Sequence, residues 1–102
     1  MKKIYNLVGL ARKAGRLAIG NGAVEKAIKN GKLKLIIYAS DASESTIRAI
    51  EKAAPRVSYI ICSTKDEWGE VLQRRPVAVF GILDEHFARG IQKYDQEEKD
   101  KA

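Results

Sequence analysis

Residues 33–39 read LKLIIYA, a run of apolar, partly β-branched side chains that stops at Ser40-Asp41. Such a run is a strand, and because its apolar residues are consecutive rather than alternating, both of its faces need cover. Residues 57–62 (VSYIIC) and 77–83 (VAVFGIL) have the same character. A shorter strand, Leu17 to Ile19, precedes Gly20. Between the strands the apolar spacing becomes helical. Ile4, Leu7, Val8 and Ala11 form one stripe, closed by Gly15. Ala23, Val24, Ala27 and Ile28 form a second, with Asn21 as expected N-cap and Asn30-Gly31 as the stop. Ile47, Ile50 and Ala54 mark a third helix that opens with Asp41 and Glu44 at capping-box spacing and ends at Pro55. Trp68, Val71 and Leu72 predict a short fourth helix, and Phe87, Ala88, Ile91 and Tyr94 a fifth.

Strands that alternate with helices and need cover on both faces predict an α/β fold: a three-layer α/β/α sandwich around a mixed, mostly apolar central sheet. One domain is expected over residues 1–94, and the charged residues 95–102 (DQEEKDKA) are expected to fray. A length of 102 residues, with 45% hydrophobic and 31% charged, leaves room for one core and excludes a multidomain enzyme. Polar residues interrupt every apolar stretch before the roughly 18 positions a membrane span requires. The opening segment, broken at Asn6 and ended by Arg12-Lys13, does not read as a signal peptide, so a cytoplasmic protein is expected. The single cysteine, Cys62, excludes an intramolecular disulfide and lacks companions for a zinc site. The one histidine, His86, follows Asp84 and Glu85, but adjacent residues on a starting helix point in different directions. No catalytic residues, metal ligands or cofactor are expected.

Charge points to a polyanion. Residues 1–51 hold ten basic and four acidic residues and the remainder nine of each, so the entire excess of +6 lies in the first half. Within residues 1–40, nine basic residues face Glu25 alone, the footprint of one positive face. Gly20-Asn21-Gly22 opens a helix, but it lacks the third glycine of a dinucleotide fingerprint, position 25 being Glu, and the Lys-Ser/Thr of a phosphate loop. What remains is a helix N-terminus whose unpaired N–H groups can receive a phosphate or a base edge, or a tight strand-to-helix turn.

The run Gly9-Leu10-Ala11-Arg12-Lys13-Ala14-Gly15, followed by Gly20, Val24, Lys26-Ala27-Ile28, Asn30-Gly31-Lys32, Lys34-Leu35 and Ile37, then Ala39 and Asp41, resembles the kink-turn RNA-binding ribosomal protein family. The type is that of L-seven-Ae and L-thirty-e, and the chain most resembles the family's small bacterial members. The resemblance covers nearly the whole chain, is most specific over residues 9–43, and extends more loosely to Arg75-Pro76-Val77. It implies the same sandwich, no enzymatic activity and binding of structured RNA, ribosomal in type; the protein is expected to be monomeric when free. The helix at residues 21–30 would enter the widened groove of a kinked stem, and the loop at 73–77 would pack on an extruded nucleotide. The family pattern Gly-x-Asn-Glu-x-x-Lys falls on Gly20 to Lys26, with Gly22 and Ala23 where the guanine-reading Asn-Glu pair stands and Asn21 next to them. Taking the resemblance together with the basic residues around it, the RNA-contacting residues expected are Arg16, Gly20, Asn21, Gly22, Ala23, Lys26, Lys29, Arg74, Arg75, Pro76 and Val77. The alternative is a module that docks on proteins of the translation machinery and carries only a generic basic face.

Overall fold

The computed structural model describes residues 1–101. Its elements alternate along the chain: α1 (Lys2–Lys13), β1 (Leu17–Ile19), α2 (Asn21–Lys29), β2 (Leu35–Tyr38), α3 (Glu44–Ala53), β3 (Tyr59–Ile61), α4 (Lys65–Leu72), β4 (Val79–Ile82) and α5 (Glu85–Lys101). The four strands form one mixed sheet in the order β1-β4-β2-β3. β4 runs antiparallel to both β1 and β2, whereas β2 and β3 are parallel. Parallel neighbours need a crossover, and α3 supplies it.

The period-2 geometry of the strands divides the core in two. One sheet face carries Leu35, Ile37, Phe80, Ile82 and Ile60 against Ile4 and Val8 of α1, Trp68 and Leu72 of α4, and Ala88 and Ile91 of α5. The other carries Ile36, Tyr38, Val79 and Ala18 against Val24 and Ala27 of α2 and Ile50 of α3. Register keeps the two sets apart, since Leu35 lies opposite Ile82 and Ile37 opposite Phe80, while Tyr38 lies opposite Val79. The expected sandwich and the double-sided burial of the central strands are therefore present. β3 differs from the expectation of cover on both faces: only Ile60 is buried, while Tyr59 and Ile61 are 50% and 47% exposed, because β3 is the sheet edge and α3 does not reach over it.

Helix ends show where local chemistry departs from the sequence reading. Asp41 does not cap α3; Ser43 does, accepting from Thr46 N–H at 3.2 Å, because its hydroxyl sits immediately before the first helical residue. Asp41 Oδ1 instead accepts from Lys65 N–H at 2.9 Å, which ties the β2–α3 turn to the start of α4. The capping box lies at Thr64 and Glu67 on α4. Residues 95–101, the expected fraying segment, continue α5. Asp95 is buried and pairs with Lys99 at 3.0 Å, and Gln96 donates to Asp100 at 3.0 Å, so i,i+4 pairs support the last turns. Lys3 Nζ also lies 5.1 Å from the Tyr94 ring centroid, binding α5 to α1. Ala102 lies outside the described residues. Among the described residues no helix is long and apolar enough to cross a membrane.

Trp68 anchors the larger core. It is fully buried, meets Tyr5 and Phe80 edge-on at centroid distances of 5.2 and 4.8 Å, and donates its indole N–H to the Cys62 carbonyl at 2.6 Å. Trp68→Ala is expected to lower the unfolding free energy by about 3–5 kcal/mol through the cavity it opens. Urea denaturation followed by circular dichroism reads that loss as a lower midpoint.

Candidate nucleic-acid interface

The antiparallel pairing of β1 with β4 places the end of β1 beside the start of β4, with Ile19 opposite Phe80. One residue further, Gly20 N–H donates to the Val79 carbonyl at 3.0 Å, and the chain turns directly into α2. That turn needs φ 92° and ψ 167° at Gly20, a region open only to glycine. Gly20, not Asn21, is consequently the N-cap, and Asn21 is the first helical residue. No side chain caps the helix. Val24 N–H already bonds the Gly20 carbonyl, so the N–H groups of Asn21, Gly22 and Ala23 are the donors the helix leaves unmatched. The first turn contains no acidic residue, and the positive end of the helix dipole is uncompensated there.

The second wall of the site comes from the connection between α4 and β4. Gln73 closes α4 in the left-handed conformation, with φ 55° and ψ 47°. Arg74 N–H returns to the Gly69 carbonyl at 2.9 Å, and Val77 N–H donates to the Lys65 carbonyl at 3.0 Å. Gly69 makes this close return possible, since a Cβ there would stand 3.0 Å from the Arg75 carbonyl oxygen and 3.1 Å from that of Arg74. The loop thus held faces the α2 N-terminus across a cleft of about 520 Å³ lined by Ile19, Gly20, Asn21, Arg74, Arg75, Pro76, Val77, Ala78 and Val79. Its rim carries two guanidinium groups and no carboxylate, and its floor is apolar.

Two segments more than 50 residues apart in the chain, at Gly20-Asn21 and at Arg74 to Val77, meet in this cleft. Gly22, Ala23, Lys26 and Lys29 do not line it. They are exposed and continue from its mouth along one face of α2, where i,i+3 and i,i+4 positions stack. Ala23 is therefore not part of the buried stripe that helical spacing alone assigns to it; only Val24 and Ala27 of α2 are buried, and Ala23 shares its face with Lys26. Val77 lines the cleft but is itself buried in the core, so it serves as floor rather than as a reaching contact. Arg16 is not brought to the cleft. It precedes β1, at the opposite end of that strand from Gly20, roughly 13 Å away at the rise of an extended chain. Gly69, Ile19 and Ala78 complete the site without being singled out by the sequence. The signal for Gly69 was a glycine inside a helical pattern, which marks a close approach of another backbone.

The remaining reactive groups have structural explanations. Burial pushes the Cys62 thiol up to about 12, and Asp95 and Glu98 add to the effect, so the nucleophilic thiolate is scarce at neutral pH. Among the described residues no group of three or more His, Cys, Asp or Glu side chains is placed to hold a metal ion.

Comparison with known proteins agrees with this architecture. The model of the Ribosomal protein L7Ae/L30e/S12e/Gadd45 family matches residues 2–91. The chain belongs to this family. It is 37% identical over 92 residues to the RNA-binding protein YlxQ of Enterococcus faecium, covering 86% of each chain. It is 27% identical over 86 residues to the protein of that name from Bacillus subtilis, covering 82% of this chain and 86% of the other. Among solved structures, a protein of unknown function from Bacillus halodurans superposes with a TM-score of 0.83 at 27% identity, over 89% of this chain and 94% of that one. A 15.5 kDa RNA-binding protein from Giardia lamblia shares the fold with a TM-score of 0.70 at 20% identity, over 89% and 80% of the two chains.

The backbone at the α2 N-terminus makes a paired prediction. Gly20→Ala is expected to cost about 1–3 kcal/mol, because no L side chain tolerates that conformation easily. Gly22 has ordinary helical geometry and open space around its would-be Cβ, so Gly22→Ala should be stabilising by about 0.5–1 kcal/mol. Thermal unfolding of the two variants should move in opposite directions.

Proposed function

We propose that this protein binds structured RNA of the kinked-stem type, as a non-enzymatic component of, or associate of, ribosomal RNA assemblies in the cytoplasm, and that it is monomeric when free. The convergence of the uncapped α2 N-terminus and the Arg74–Val77 loop on one carboxylate-free cleft carries this reading. Membership of the family and the RNA-binding designation of the YlxQ relatives support it.

The chemistry follows from the parts. The N–H groups of Asn21, Gly22 and Ala23 are preorganised donors for base edges or a phosphate at a site where the helix dipole favours negative charge. Lys26 and Lys29 extend a cationic track along the exposed face of α2, matched to the phosphates flanking the groove. Arg74 and Arg75 carry planar guanidinium groups suited to phosphate or to the face of a base. The cleft volume lies within the roughly 300–1,000 Å³ of small-molecule sites, and its apolar floor and Pro76 suit one extruded nucleotide. Gly22 and Ala23 supply no side chain that reads a guanine, so affinity rests on phosphates and backbone donors more than on base edges.

Four cations, Lys26, Lys29, Arg74 and Arg75, each neutralising one phosphate, give an expected slope of log K against log salt of about −3. Lys26→Ala should weaken binding by roughly 1 kcal/mol and flatten that slope by a little under one. A salt titration by fluorescence anisotropy measures both, and a flat dependence would remove the electrostatic basis of the reading. Gly22→Asn combined with Ala23→Glu should raise the preference for a kinked over a straight duplex, each restored base contact contributing about 1–3 kcal/mol on the scale of DNA grooves. The space around Gly22 is open, Ala23 is exposed and Glu suits a helix N-terminus, so the double variant should fold; an unchanged kinked-to-straight ratio would contradict the assignment of those two positions.

A further inference from the structure

The RNA reading leaves the opposite sheet edge unexplained. In β3, Ser58 accepts from Ile36 N–H at 3.0 Å and Cys62 donates to the Tyr38 carbonyl at 3.1 Å, so backbone groups at even-numbered positions turn toward β2. By the alternation of a strand, the N–H and C=O groups of Tyr59 and Ile61 turn outward, and among the described residues they have no backbone partner. Tyr59 and Ile61 are also two of the large apolar side chains that the fold leaves exposed. Unpaired main-chain groups and uncovered side chains thus coincide on the same two residues.

Grooves border this edge on both sheet faces. On the α3 side, about 520 Å³ lie between Tyr59, Tyr38 and the helix residues Arg48, Glu51 and Lys52. On the α5 side, about 500 Å³ lie between residues 55–60 and Gln92, Asp95, Gln96 and Lys99. A strand laid along β3 would send alternate side chains into the two grooves. A second observation lies in the floor of the first groove. The Tyr38 hydroxyl is buried and has no hydrogen-bond partner, although a buried hydroxyl ordinarily finds one. Its ring meets that of Tyr59 edge-on at 5.8 Å, which places it directly beneath the exposed residue. Arg48 and Lys52 outnumber Glu51 in the lining of this groove, the 3.8 Å contact of Arg48 with Glu44 is solvent-exposed and readily exchanged, and Lys99 already pairs with Asp95 on the other side, where Arg56 also lies.

We infer that the β3 edge is a protein-docking site that accepts an extended acidic segment of a partner as a fifth strand, one of its carboxylates entering the α3-side groove toward the Tyr38 hydroxyl and the Arg48 and Lys52 cations. Main-chain bonds to Tyr59 and Ile61 supply affinity, and the groove charge selects an acidic strand over a basic one. This surface is separate from the α2–loop cleft and stands or falls independently of RNA binding.

The test uses the intact protein and the peptide acetyl-Val-Glu-Val-Glu-Val-Glu-Val-amide, with the Lys-for-Glu peptide as its counterpart. Amide hydrogen exchange followed by NMR should show slowed exchange at Tyr59 and Ile61 on adding the acidic peptide, with the basic peptide at least about tenfold weaker. Ile61→Pro removes one outward donor without touching the β2 ladder and should abolish the protection, while RNA affinity is unchanged. Tyr38→Phe keeps the core shape and removes only the orphaned hydroxyl; it should fold at least as stably as the parent yet bind the acidic peptide at least about threefold more weakly, which keeps the test decisive if the proline variant unfolds. No change at Tyr59 and Ile61, or equal binding of the two peptides, would overturn the proposal. So would concentration-dependent dimerisation that protects the same amides, which would put a second copy on the edge, or protection by RNA, which would make the edge a nucleic-acid surface.

Discussion

The hydrogen bond from Gly20 N–H to the Val79 carbonyl, at 3.0 Å, closes the antiparallel ladder between β1 and β4, and the candidate interface depends on it. A three-residue strand has little freedom to choose its register, so its last bond decides where the next helix begins. Because β1 and β4 run in opposite directions, the end of one adjoins the start of the other. The α2 N-terminus and the Arg74–Val77 loop are thereby neighbours although far apart in sequence. A slip of one residue would invert the side chains of β1, bring Leu17 and Ile19 to the α2 face and expel Ala18 from it. Core packing against Val24 and Ala27 therefore protects the geometry of the cleft as well as the fold.

The sheet order also separates two kinds of surface. β4 and β2 are central, buried along their whole length, and hold the two cores together. β1 and β3 are the edges. The β1 edge leads into the carboxylate-free cleft, whereas the β3 edge exposes Tyr59 and Ile61 beside grooves of mixed charge. The cations on the rim of the first, Arg74 and Arg75, come from the second half of the chain, while the basic excess before residue 40 reaches its surroundings through Lys26 and Lys29 on the exposed face of α2.

Much of this was legible from residues. The consecutive apolar run at 35–38 and the helical spacing of Ile4, Val8 and Ala11 could bury their side chains in only one general way, and that way is the observed sandwich. The two segments lining the cleft were legible through the family resemblance and through their Gly, Arg and Pro content. What local pattern could not supply was competition between equivalent groups. Asp41 and Ser43 both suit an N-cap; Ser43, immediately before the first helical residue, serves α3, and Asp41 accepts from Lys65 N–H instead. Ala23 fits a buried stripe by spacing, but at the first turn of α2 it faces solvent, so its true neighbours are Gly22 and Lys26. Arg16 shares the charge of the site, yet the strand that follows carries the chain away from it before the cleft forms. Residues 95–101 have too few apolar groups to advertise a helix, and the buried Asp95 with its Lys99 partner and the Gln96–Asp100 pair show why they form one.

The central claim is that one cleft, assembled by the β1–β4 pairing, receives the RNA. The most direct measurement is an amide chemical-shift map of the protein titrated with a kink-turn RNA. The account predicts the largest shifts at Gly20 to Ala23 and at Arg74 to Pro76, with smaller ones along Lys26 and Lys29 and none at Tyr59 or Ile61. Shifts centred on α1, α3 or the β3 edge, with Gly20 to Ala23 undisturbed, would contradict it.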